Sequence, residues 1–226
     1  MSRQDILGRI RTALAVSMHD NAARHAAVRT RLTSPPRFPS PCALAHERNV
    51  VNSFSSRLVA NGAFVATLLH CAEIPAQVAA YLTAEGLPLT LHLAARLADT
   101  PAWQRSGLAC REGPVQADDI ASLSLAVAGV AETGTLVLSS ANGTPGLAAF
   151  LPETHVVVVE QRTIYLTLEE ALERRRLDPL SASTPRATFL ISGASRTGDI
   201  GGTIVCGAHG PRRLAVLIVN EPLAGT

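Results

Sequence analysis

The sequence predicts an α/β fold, a mostly parallel sheet with helices on both faces, preceded by an N-terminal helical appendage. Three observations carry this. Residues 64–69, 74–85 and 89–93 read as strand, helix and strand, the order of a βαβ unit with its right-handed crossover. Four consecutive valines, Val156, Val157, Val158 and Val159, read as a strand buried on both faces, as a parallel sheet requires. Pro35, Pro36, Pro39 and Pro41 make residues 34–41 an extended linker. The boundary is placed there: residues 1–41 form the appendage and linker, and residues 42–226 the α/β domain.

In the appendage, residues 2–14 are predicted helical. Ser2 is a suitable N-cap, and Ile6, Leu7, Ile10 and Leu14 form one apolar stripe. Residues 21–32 are a second helix, whose Arg24, His25, Arg29 and Arg31 read as a solvated face. A third helix spans 47–61, with Val50, Val51, Phe54, Leu58 and Val59 on one side and Gly62 at its end. The βαβ unit follows, its helix closed by Gly86 and Pro88. Trp103 lies in a loop-like stretch and reads as a packing anchor. Leu136-Val137-Leu138 is a strand, and Asn142-Gly143 and Pro145-Gly146 are turns. Residues 168–176 form a helix whose Arg174, Arg175 and Arg176 suit the C-terminal dipole. Phe189-Leu190-Ile191 reads as a short buried strand, and residues 214–219 as the last strand.

Composition narrows the functional classes. The 226 residues are 47% hydrophobic, ample for a core built from Ala, Val, Leu and Ile. Aromatic residues make up 4% and the net charge is +2, which argues against nucleic-acid binding. The cysteines at 42, 71, 110 and 206 form no CxxC or tighter cluster, so no metal site is expected, and Cys71 and Cys206 read as buried thiols. No run is long enough to span a membrane, and no apolar leader opens the chain. A cytoplasmic location is the expectation.

Chemistry-bearing residues concentrate in three segments, each at a strand end, the kind of place where open α/β sheets hold ligands. The richest runs from Phe189 to Arg213. It carries Ser192, Ser195, Arg196, Thr197 and Asp199 on one glycine-rich turn, and His209 and Gly210 on another. Such a turn can cradle a small anionic or phosphate-bearing ligand with backbone N–H groups and one Arg; equally, Ser195 and Asp199 can cap a short helix. Asp199 reads as a partner of Arg196 or as a cap. His209 is placed to meet a ligand as acid, base or anion donor. The second segment, Ala131-Glu132-Thr133-Gly134-Thr135, offers Glu132 as base or nucleophile, with Thr133 and Thr135 as ligand hydroxyls. The alternative makes Glu132 a turn carboxylate capping backbone N–H groups. In the third, Leu151-Pro152-Glu153-Thr154-His155, the histidine precedes a buried strand and reads as a core residue. The chain contains no GxSxG, P-loop or GxGxxG motif.

At these residues the chain resembles the LUD-domain family, in particular its lactate utilization protein C members. The resemblance rests on Gly129-Val130-Ala131-Glu132-Thr133-Gly134-Thr135, Leu151-Pro152 with His155, Ser192-Gly193 with Ser195-Arg196-Thr197 and Asp199-Ile200, and Gly207 with His209-Gly210-Pro211. It runs from about Phe54 to Val219. It implies a fold like that of ribose-5-phosphate isomerase, glucosamine-6-phosphate deaminase and the CoA-transferases. It also implies a part in bacterial oxidation of L-lactate to pyruvate, as the cluster-free member acting with iron–sulfur partner proteins. Ala194 and Gly201 stand where the family has Pro and an acid, and Pro145-Gly146-Leu147-Ala148 where it tends to carry Arg. A free-standing enzyme of the isomerase or CoA-transferase type and a regulatory scaffold are the alternatives.

Overall fold

The computed structural model describes residues 2–14, 21–34, 49–93, 101–140, 146–177, 185–198 and 202–223. The chain divides into two units, Met1–Pro41 and Cys42–Thr226. The prolines at 35, 36, 39 and 41, Cys42, the turn residues Asn142, Gly143 and Pro145, and Asp199 with Ile200 and Gly201 lie outside the described residues.

The first unit holds helix α1 (Arg3–Ala13) and helix α2 (Asn21–Thr33). Ser2 caps α1 reciprocally. Its hydroxyl accepts from the Asp5 N–H at 3.2 Å, and its own N–H donates to Asp5 Oδ2 at 2.8 Å.

In the second unit, six parallel strands form the main sheet. They are β1 (Phe64–Leu68), β2 (Thr90–Leu93), β3 (Ala109–Arg111), β4 (Ala121–Leu125), β7 (Thr154–Glu160) and β12 (Arg213–Val219). Their order across the sheet is β1-β12-β7-β4-β2-β3. Every residue of β7 is buried, as the run of valines predicts. Successive side chains alternate between the two faces. Val156 and Val158 join Leu217 and Val219 under Val78 and Leu82 of helix α4 (Ile74–Ala84). Val157 and Val159 join Val216 and Ile218 on the other face. There they meet Phe54 and Leu58 of helix α3 (Val50–Ala60), both 0% exposed. Burying such side chains contributes about 1.5–3 kcal/mol each.

The α3 face also carries a second sheet that the sequence does not announce. Strands β5 (Ala128–Val130), β6 (Thr135–Ser139), β8 (Ile164–Tyr165) and β9 (Thr188–Ile191) take the order β8-β5-β6-β9, with β6 antiparallel to both neighbours. Leu136 and Leu138 of β6 pack into the α3 core. Strands β10 (Arg196–Thr197) and β11 (Val205–Cys206) form a small antiparallel pair. Trp103 is buried, as an anchor should be, within a short helix α5 (Pro101–Arg105) rather than a loop. Helix α6 (Leu168–Leu177) completes the domain.

Two expectations are corrected. Phe189-Leu190-Ile191 is the edge strand β9, and Leu190 is 52% exposed because it points to the face opposite Phe189 and Ile191, which pack inward. Cys206 is exposed, since β11 belongs to the small pair outside the main sheet. Among the described residues, no helix is long and apolar enough to cross a membrane.

Candidate functional site

Parallel pairing sets the amino ends of β7 and β12 side by side, with Thr154 opposite Arg213 and His155 opposite Leu214. The chain leaving β9 passes this edge. Backbone bonds tie it to the second glycine-rich turn: the Ser195 N–H donates to the Pro211 carbonyl at 2.8 Å, and the Gly207 N–H to the Ser195 carbonyl at 2.9 Å. Between them lies a cleft of about 220 Å³. Ser192, Ser195, His155 and His209 supply its polar side chains, and Phe150, Leu190, Pro211 and Leu214 much of its apolar wall. Gly210 lies against Ser195 and Phe150: a Cβ there would stand 3.4 Å from Ser195 Cβ and 3.9 Å from Phe150, ordinary packing distances. The cleft opens at the amino ends of these strands, whereas open parallel sheets hold ligands at carboxyl ends. The turns of the small sheets, not the crossover loops, build it.

The three polar segments converge here in part. The register of β6 on β9 pairs Leu136 with Ile191 and brings Thr135 against Ser192. Their hydroxyls lie 2.6 Å apart, and Thr135 reaches Thr133 at the same distance. A chain of three hydroxyls therefore runs from the exposed turn to the cleft, with buried Thr135 at its centre. Gly134 lets this turn approach α3: its φ is +65°, and an added Cβ would lie 2.8 Å from Arg57 Cβ.

Other predicted site residues lie elsewhere. Glu132 Oε1 accepts from the Leu168 N–H at 3.0 Å and so caps α6. This is the turn-carboxylate alternative, and Glu132 is absent from the cleft lining. Arg196 is exposed, with its guanidinium over Gly62 just past the end of α3, a place where the helix dipole favours a cation. Thr197 pairs with Val205 in the small sheet. Arg212 and Arg213 bind Glu153, at 3.2 and 3.3 Å, and Arg213 also binds Glu85. The described lining thus holds hydroxyls and imidazoles but no Arg or Lys.

His155 is the residue that sequence reasoning undervalued. It is 1% exposed, like a core histidine, yet it lines the cleft. Burial pushes its pKa down to about 4, so the ring is neutral near pH 7. The available signals were its place one residue inside a strand, directly after a polar Glu153-Thr154 pair, and its part in the Leu151-Pro152 motif of the family resemblance.

A family model described as LUD domain matches residues 109–219. Curated relatives include an uncharacterized protein of Neisseria meningitidis serogroup B, 37% identical over 99 residues, 44% of this chain and 42% of the relative. Lactate utilization protein C of Bacillus pumilus is 34% identical over 93 residues, 41% of this chain and 39% of the relative. These matches span about two fifths of either relative's length. Lactate utilization protein C of Deinococcus radiodurans is 30% identical over 196 residues, 82% of this chain and 86% of the relative. The crystal structure of a DUF162 family protein from Deinococcus radiodurans aligns with a TM-score of 0.59 at 24% identity. The alignment covers 80% of this chain and all of that one, a likeness of fold.

Proposed function

The chain belongs to the LUD domain family, and we propose that it serves lactate utilization as a non-redox component. In this role it acts with iron–sulfur partner proteins, which carry the clusters, and holds a small organic acid in the cleft. The match to the Deinococcus lactate utilization protein C, along 82% of the chain, carries the proposal. The cleft supports it. Ser192 and Ser195 offer hydroxyl donors, and His209 stands exposed on the lining as a further donor. Apolar walls from Phe150, Leu190 and Leu214 suit a short aliphatic backbone. Without a described Arg or Lys in the lining, hydrogen bonds rather than an ion pair hold the acid.

The test is growth on L-lactate after deletion of the gene, combined with purification of the tagged protein from lactate-grown cells. The expected result is a growth defect specific to lactate, together with co-purified proteins showing the broad visible absorption of iron–sulfur clusters. Unimpaired growth on lactate would refute the role. Isothermal titration with L-lactate and pyruvate then examines the cleft, where replacing Ser195 by Ala should weaken binding roughly tenfold, the cost of one hydrogen bond.

A further inference from the structure

Among the described residues three buried side-chain atoms lack a hydrogen-bond partner, His92 Nδ1, Thr154 Oγ1 and His155 Nδ1, and of the three residues only His155 lines the cleft. His155 lines the cleft, and its Nε2 sits 3.0 Å from Ser124 Oγ on the neighbouring strand β4. Its Nδ1 has no hydrogen-bond partner among the described residues. Ser124 is 0% exposed and does not line the cleft. A buried hydroxyl left with its hydrogen undonated costs about 1–3 kcal/mol. The acceptor the structure offers Ser124 is His155 Nε2. If Nε2 carried the proton instead, the Ser124 hydrogen and the Nδ1 lone pair would both go unmet. Donation from Ser124 leaves only Nδ1 unmet. A neutral imidazole has one ring proton, and that proton then sits on Nδ1.

We propose that His155 presents Nδ1–H to the cleft as a fixed neutral donor that takes a carboxylate or carbonyl oxygen of a small organic acid, with Ser124 as the positioning residue that sets the tautomer. The proposal rests on the cleft being the ligand site. It also specifies the ligand's chemistry: the group reaching His155 must accept a hydrogen bond, so an ammonium in that position meets a donor and is rejected. In so buried a place the bond to an anionic oxygen is stronger than its equivalent in water.

The experiment uses the full chain labelled with nitrogen-15 and long-range proton–nitrogen correlation spectra at pH 7, recorded with and without pyruvate or L-lactate. The expected spectrum shows His155 protonated at Nδ1 and bare at Nε2, and its Nδ1 signal moves when either acid is added. In Ser124→Ala the preference for Nδ1–H is lost and affinity for the acid falls roughly fivefold to tenfold, the worth of one hydrogen bond. A ring protonated at Nε2 in the wild-type protein overturns the proposal, whatever binds. Calorimetric binding that leaves the Nδ1 signal unmoved also overturns it, while the cleft stands as a ligand site. If neither acid binds, the cleft fails as the site of such acids, and the proposal falls with it.

Discussion

Gly134 and Gly86 have the same backbone and different neighbours. Their φ angles are +65° and +66°. A Cβ on Gly86 meets nothing within 4 Å, whereas one on Gly134 lies 2.8 Å from Arg57 Cβ and 2.9 Å from the Leu58 nitrogen. Replacing either by Ala incurs the left-handed strain of an L-residue, about 1–2 kcal/mol. Lower entropy of the unfolded chain offsets about 0.4–1 kcal/mol of that. Gly86→Ala should therefore cost about 1 kcal/mol. At Gly134 the obstacle is helix backbone, which cannot swing aside, and overpacking adds about 1–3 kcal/mol. The assay is urea unfolding of both variants beside the wild type, compared at constant m-value. Gly134→Ala should unfold at clearly lower urea than Gly86→Ala. Equal midpoints would refute the close seating of the 131–134 turn on α3, and with it the support that holds Thr135 against Ser192.

Three further outcomes are expected. Thr135→Val removes the centre of the hydroxyl chain, with its two 2.6 Å bonds. It should destabilise by about 1–3 kcal/mol and be non-additive with Ser192→Ala in a double-mutant cycle read by chemical unfolding; strict additivity would sink the chain as a coupled unit. Glu132→Ala should cost about 0.5–2 kcal/mol through loss of the α6 cap while leaving the affinity for pyruvate or lactate unchanged by calorimetry. His155 has its folded pKa depressed from 6.5 to about 4, so the unfolded chain binds the extra proton first as pH falls. The contribution of His155 to stability is full above pH 6.5 and is lost toward pH 4, roughly 3 kcal/mol in all. His155→Gln should flatten that part of the pH dependence, and parallel profiles for the two proteins would contradict the burial of a neutral ring.

Within the main sheet β7 and β12 were legible because they are buried on both faces and read as unbroken apolar runs, whereas β3 is largely exposed and β4 is interrupted by Ser122 and Ser124. The second sheet was not legible. Strands of two or three residues such as β5 and β8 are too short to carry a period. Edge strand β9 looked buried because Phe189 and Ile191 do pack inward, and nothing local says that Leu190 faces out. Ser192, Ser195, His209 and Gly210 were found as candidates because glycine-rich turns concentrate polar groups, and the cleft gathers these four. Glu132 and Arg196 carried the same composition signal. What separates them is a partner distant in sequence: the Leu168 N–H for one, and the end of α3 beside Gly62 for the other.

Pairing distance also explains why His155 looked like ordinary core. Its setting is a polar row across three parallel strands, where His92 pairs with Ser122 and Ser122 with His155. His92 Nε2 meets the Gly113 carbonyl at 2.7 Å, and Ser122 donates to the Ala148 carbonyl. His92 Nε2 therefore donates to that carbonyl, and His92 is not among the cleft-lining residues. His155, tied to a hydroxyl rather than a carbonyl, carries its proton on the opposite nitrogen. The two histidines of the row thus use Nε2 in opposite senses, His92 as donor and His155 as acceptor, and of the two only His155 lines the cleft. Exchanging the partner's character at Ser124 changes the Nδ1–H donor of His155 directly.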